Sequence, residues 1–186
     1  MFEIRIHGRG GQGVVTAAEM LSIAAFEEGK HSQAIPSFGS ERMGAPVVAY
    51  VRIDDEPIDL YEPVMSPDLL IIQDPTLFHA VDVFSGLSPA GFVLINTSRK
   101  LEELHIEEAL QHLPEHHVAT VAATELAMRH LGRSTPNTVL LGALTVLTDV
   151  IHFSSVVKAI NDKFSGDVAE RNISAAQAAH DKAHAA

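Results

Sequence analysis

Apolar residues along this chain follow two rhythms, one of period two and one near 3.6, and they alternate for most of its length. Phe2, Ile4 and Ile6 alternate with Glu3, Arg5 and His7, which predicts a strand over residues 2–7. A glycine cluster follows, and from Val14 the apolar residues Val14, Val15, Ala17, Ala18, Leu21, Ala24 and Ala25 recur at roughly helical spacing, in a helix that Gly29 closes. His31 to Ile35 is an extended segment ended by Pro36, and Ala45 to Ile53 is a β-branched strand. Asp54-Asp55 then predicts a turn into a short return strand around Ile58 and Leu60. Leu69–Ile72 and Phe92–Ile95 are short continuous apolar runs, the pattern of strands covered on both faces. Helical spacing is read over Leu77–Leu87 and Leu101–Leu113. A strand is expected at Val118–Val121 and a helix at Glu125–Leu131, with Gly132 after it.

Thr135-Pro136 is a helix start, with proline where no amide hydrogen is needed, and the helix runs to about Asp149. Another begins at Ser154-Ser155 and ends at Gly166. The tail from Val168 holds eight alanines and few large apolar residues. The expectation is α/β: a three-layer, open, mostly parallel sheet with helices on both faces and an antiparallel edge, Rossmann-like in outline. The whole of 1–186 is read as a single domain, with 167–186 as a peripheral C-terminal helix or tail.

Composition narrows the classes. The formal charge is −11 with pI about 5.3, which argues against general binding to nucleic-acid phosphates. There is no cysteine, so the chain has no thiolate nucleophile and no cysteine ligand for a cluster or zinc. The longest apolar stretch, Val139–Leu147, is far below the ~20 residues that span a bilayer, and no signal-peptide pattern opens the chain. The expectation is a soluble, cytoplasmic protein that does not engage membranes. No metal site is read, and no catalytic residue either.

The chemistry-bearing motif is Gly8-Arg9-Gly10-Gly11-Gln12-Gly13, which satisfies G-x-G-x-x-G between a strand and a helix. Glycines there let the backbone turn tightly and let a phosphate approach the amides at a helix N-terminus. A dinucleotide site also expects an acid about 20 residues on to hold the ribose. Here that stretch is Gln33-Ala34-Ile35-Pro36-Ser37. Three readings stay open from the residues alone: a phosphate-bearing ligand held without that acid, an ordinary NAD or FAD site, and a loop that only packs.

The same bend taken with Pro36-Ser37-Phe38-Gly39-Ser40-Glu41-Arg42-Met43-Gly44-Ala45-Pro46-Val47 resembles the gamma subunit or domain of the 2-oxoacid:ferredoxin (acceptor) oxidoreductases, a family that includes pyruvate:ferredoxin oxidoreductase. Gln73-Asp74-Pro75-Thr76-Leu77, Asn96-Thr97, and Asn137-Thr138 with Leu141-Gly142-Ala143 are similar to that family too. The resemblance spans roughly residues 1–165. Met43 stands where the family pattern often has a second arginine.

The resemblance implies a subunit that is inactive alone and that works in a complex converting a 2-oxoacid to its acyl-coenzyme A. It implies that thiamine diphosphate, magnesium and iron–sulfur clusters sit in partner subunits of alpha, beta and delta type, and that ferredoxin or another acceptor is met only indirectly. For this chain it implies contact with coenzyme A. Gly8, Arg9, Gly10, Gly11, Gln12 and Gly13 would cradle the phosphates, Ser37, Phe38, Gly39 and Ser40 would shape the nearby pocket, and Asn137 would add a hydrogen bond. Similar gamma chains serve pyruvate, 2-oxoisovalerate, 2-oxoglutarate and aryl glyoxylates. The alternatives are a free-standing dinucleotide-binding oxidoreductase and an assembly module that binds no ligand.

Overall fold

The computed structural model describes residues 1–37 and 43–184. Six strands form one sheet: β1 (Phe2–Arg9), β2 (His31–Pro36), β3 (Pro46–Asp54), β4 (Leu69–Ile72), β5 (Phe92–Asn96) and β6 (Val118–Val121), in the order β2-β3-β1-β4-β5-β6. β1, β4, β5 and β6 run parallel, and β3 is antiparallel to both β1 and β2. The mixed α/β sheet is as expected, but the reversed strand is β3, one place in from the edge. Its partners are β1 and β2, not a return segment at Ile58 and Leu60. Residues 55–68 form no strand, and Pro57, Pro63 and Pro67 lack the amide hydrogens that a ladder needs.

The continuous apolar strands are covered on both sides. In β4, Leu69 and Ile71 enter one hydrophobic cluster while Leu70 and Ile72 enter another, and all four are at most 1% exposed. The two layers are unequal. α1 (Val14–Glu27), α3 (Ala123–Leu131), α4 (Asn137–Leu147), α5 (Phe153–Lys163) and α6 (Gly166–His184) supply the larger cluster. Among the described residues, the opposite face carries the one-turn α2 (Glu107–Leu110), short 3-10 turns and loops.

The helices read over 77–87 and 101–113 are these turns. Asp74 accepts a hydrogen bond from the Thr76 amide to start a 3-10 turn at Pro75–His79. His105 at φ 55 separates a second turn, Leu101–Glu103, from α2. Gly86, at φ 73, sits so close to the Met65 carbonyl that a Cβ would lie 2.0 Å from its oxygen.

The alanine-rich segment, expected to be peripheral, is one helix packed into the larger layer. Ala169, Ala175, Ala176 and Ala179 are buried, and α6 crosses α4 at Gly142. A Cβ on Gly142 would lie 2.1 Å from the Ala176 carbonyl oxygen. Small side chains on both helices allow backbones to meet, which is why low hydrophobicity along α6 still makes a buried interface. Thr138 donates to Asn172 at 2.8 Å across the same pair.

Candidate ligand cleft

The glycine bend sits at the carboxyl end of β1, where strand connections depart in opposite directions along the sheet, the usual place for a ligand crevice. Part of the bend is already engaged with the rest of the chain. The Gln12 side chain folds back so that Oε1 accepts from the Arg9 amide at 2.7 Å and Nε2 donates to Asp74 at 2.8 Å. The Gly10 amide donates to the Ala45 carbonyl, and the Gln12 amide to the Arg9 carbonyl. Arg9 reaches away from the bend to Thr76 and to the Gly44 carbonyl, and pairs with Asp74 at 3.3 Å. Burial works against charge on Asp74, but hydrogen bonds from Thr76 and Gln12 and the Arg9 charge outweigh it and hold the carboxyl below its ordinary range.

The second motif meets the first at its far end. The Gly44 amide donates to the Gly10 carbonyl at 3.1 Å, and the Met43 thioether lies over Gly11. Ser37 is exposed and its amide pairs with the Val48 carbonyl at the end of β2, two strands from the bend and outside its cleft. Phe38, Gly39 and Ser40, like Glu41 and Arg42, lie outside the described residues.

The open side of the bend is the start of α1. Gly13, at φ 74, begins the helix without a side-chain cap, and the first intrahelical bond is Ala17 amide to Gly13 carbonyl. The first-turn amides therefore have no acceptor within the helix. This end of the helix, through Gly13 and Thr16, borders a cleft of about 400 Å³ whose lining includes Gly11, Thr135, Asn137 and Asn172, the apolar Leu131, Phe164 and Val168, and the charged Arg133, Lys163, Arg171 and Asp167. Asn137 opens α4 and its side-chain amide packs on Gly13, where a Cβ would sit 2.5 Å from Nδ2. Its Oδ1 accepts from the Thr138 amide, which leaves Nδ2, beside Gly13, as the donor end of a side chain that is largely buried.

On a strongly acidic chain this cleft gathers three cations against one lining carboxylate, Asp167. Arg133 is exposed, Lys163 pairs with Glu19 at 2.6 Å, and Arg171 pairs with Asp167 at 2.9 Å. A helix N-terminus, an amide donor and three cations around one opening suit a phosphate or pyrophosphate. Of the residues picked from sequence, Gly11, Gly13 and Asn137 line this cleft. Gly8, Arg9, Gly10 and Gln12 shape the bend behind it. Arg133, Lys163 and Arg171 come from three separate segments and carry no local motif; only a helix-packing prediction that brought α3, α5 and α6 together would have found them.

Dinucleotide binding finds no support in the strand order. β3 lies between β1 and β2, so the end of β2 is a strand further from the bend than a ribose-holding acid requires, and no acid is there.

Comparison with known proteins gives a consistent picture. The family described as pyruvate ferredoxin/flavodoxin oxidoreductase matches residues 3–182. The common gamma subunit of the pyruvate/ketoisovalerate oxidoreductases of Pyrococcus furiosus is 46% identical over 182 residues, covering 98% of this chain and 97% of that one. The crystal structure of the pyruvate oxidoreductase subunit PORC of Thermotoga maritima superposes with a TM-score of 0.81 at 35% identity, over 97% of this chain and 95% of that one. The fold also recurs, at TM-score 0.75 and 20% identity, within 31% of a 2-oxoglutarate:ferredoxin oxidoreductase chain from Magnetococcus marinus, solved with 2-oxoglutarate, coenzyme A and succinyl-CoA bound.

Proposed function

The chain belongs to the pyruvate ferredoxin/flavodoxin oxidoreductase family, and from that footing we propose that it is a gamma subunit whose cleft at the start of α1 holds the phosphate end of coenzyme A. Coenzyme A supplies the thiol that accepts the acyl group; the residues of this chain bind and orient it. The first-turn amides of α1 and Asn137 Nδ2 donate to phosphate oxygens, and Arg133 and Arg171 neutralise their charge. Each neutral hydrogen bond contributes on the order of 1 kcal/mol net, and those to charged oxygens more. With no cysteine in the chain, cluster-borne electron transfer belongs to companion subunits, as does decarboxylation on thiamine diphosphate.

The observation that carries this reading is the convergence of three cations on an uncapped helix start in a protein of net charge −11. One observation favours the assembly-module reading: Gln12 already satisfies the Arg9 amide inside the bend. The two readings separate in the assembled complex. Arg133→Glu lies on the surface and is expected to raise KM for coenzyme A at least about tenfold while KM for the 2-oxoacid stays put. An unchanged coenzyme A dependence would favour the bend as a purely structural device.

A further inference from the structure

Away from the cleft, the chain between Arg52 and Arg99 contains eight carboxylates and not one lysine or arginine. Its first part, residues 55–68, is the irregular segment on the thinly covered face of the sheet, and it displays large apolar side chains among its acids. Tyr61 is 80% exposed, Met65 72% and Leu60 42%, beside exposed Asp55, Glu56, Asp59 and Glu62. Scattered exposed apolar residues need no explanation, but three within six positions on one loop form a patch.

The second half of the loop is firmly anchored. Arg5 is buried beneath it, and its guanidinium donates to the Val64 carbonyl as well as to those of Val83 and Ser85. Val64 is 1% exposed, the Met65 carbonyl is wedged against Gly86, and the Pro67 carbonyl accepts from the Ser88 amide. Pro57, Pro63 and Pro67 restrict the backbone further. Met65 is thus held outward at small ordering cost, as interface anchors are, and exposed Tyr61 stands between Pro57 and Pro63, whose rings limit the backbone on either side.

We propose that residues 55–66 dock into an apolar groove, rimmed by lysine or arginine, on a companion polypeptide of the same complex. The acids set the chemistry of the occupant. They repel anionic lipid and nucleic acid, and a second copy of this chain would bring a net charge of −11 against them, its cationic cleft being the one assigned above to the ligand. The inference rests on the chain's place in a multisubunit complex and adds the surface that joins it.

The test uses the intact complex with p-benzoyl-phenylalanine in place of Tyr61. Irradiation is expected to link this position to a companion chain. In parallel, the double variant Asp59→Lys/Glu62→Lys is expected to reduce recovery of companions at low salt at least tenfold, with the melting temperature of the isolated chain unchanged. A Tyr61 position that links to nothing, to a second copy, to lipid or to nucleic acid overturns the proposal, and so does wild-type recovery by the charge-reversed variant. If the linked companion comes from a complex without a thiamine-diphosphate subunit, the docking surface stands and the proposed function fails. If the complex is intact and coenzyme A-dependent while Tyr61 links to nothing, the docking surface alone fails.

Discussion

His7 shows how much a single buried side chain on this sheet contributes and at what pH. Its Nε2 accepts from Arg5 Nε at 3.0 Å, and it is 9% exposed. Burial, and then the neighbouring Arg5 charge, lower its pKa from 6.5 to about 4. The unfolded chain therefore binds a proton that the folded chain refuses, so stability is lost as pH falls from about 6.5 towards about 4. Unfolding in urea at pH 7 and pH 5 should show His7→Gln, which keeps an acceptor for Arg5, to be less pH-dependent than the parent by about 2 kcal/mol. Equal pH dependence would mean His7 is not held neutral by its surroundings. At this scale the glycines were legible in the sequence because a positive φ or a close approach demands that residue. The Arg5–His7 pair was not: strand alternation puts the two on one face without saying what covers it, and the loops that bury them come from residues 64 and 83–85.

Among the elements, periodicity found the strands and missed the turns. β6 falls where it was expected, and β4 too, because a four-residue apolar run between polar neighbours has few other uses. Over 77–87 and 101–113 apolar residues recur every three or four positions, but 3-10 turns repeat at three and serve the same spacing. Pro75, His105 and Gly86 then set the breaks. The α6 interface was illegible for a different reason. Its strength lies in the closeness that alanine and Gly142 permit, and hydrophobic patterning does not measure closeness. Gly142→Ala should push α4 and α6 apart at the cost of about 1–3 kcal/mol, as overpacking does. A drop in melting temperature of several degrees is expected for a chain of this length. A variant that melts with the parent would place the helices further apart than described.

At the level of the molecule, the sheet's asymmetry organises everything else. Helices on one face bring Arg133, Lys163 and Arg171 to the start of α1, while the sparse opposite face displays the acidic, apolar-tipped loop. The cationic cleft and the acidic loop are built from different segments, so changes in one should leave the other's readout alone. Membership of the family was legible from two motifs. Of the cleft, only Gly11, Gly13 and Asn137 were, since its cations are joined by tertiary packing alone. The most direct measurement of the central claim compares Gly11→Asp with Gly11→Asn in the intact complex. Gly11 sits at φ 93 with the flexible Met43 as its near neighbour among the described residues, so the two variants share whatever strain the backbone adds and differ in one negative charge. Calorimetric titration with coenzyme A should give a Kd at least about tenfold weaker for the Asp variant than for the Asn variant. Equal Kd values for the two would mean that no phosphate lies beside this bend.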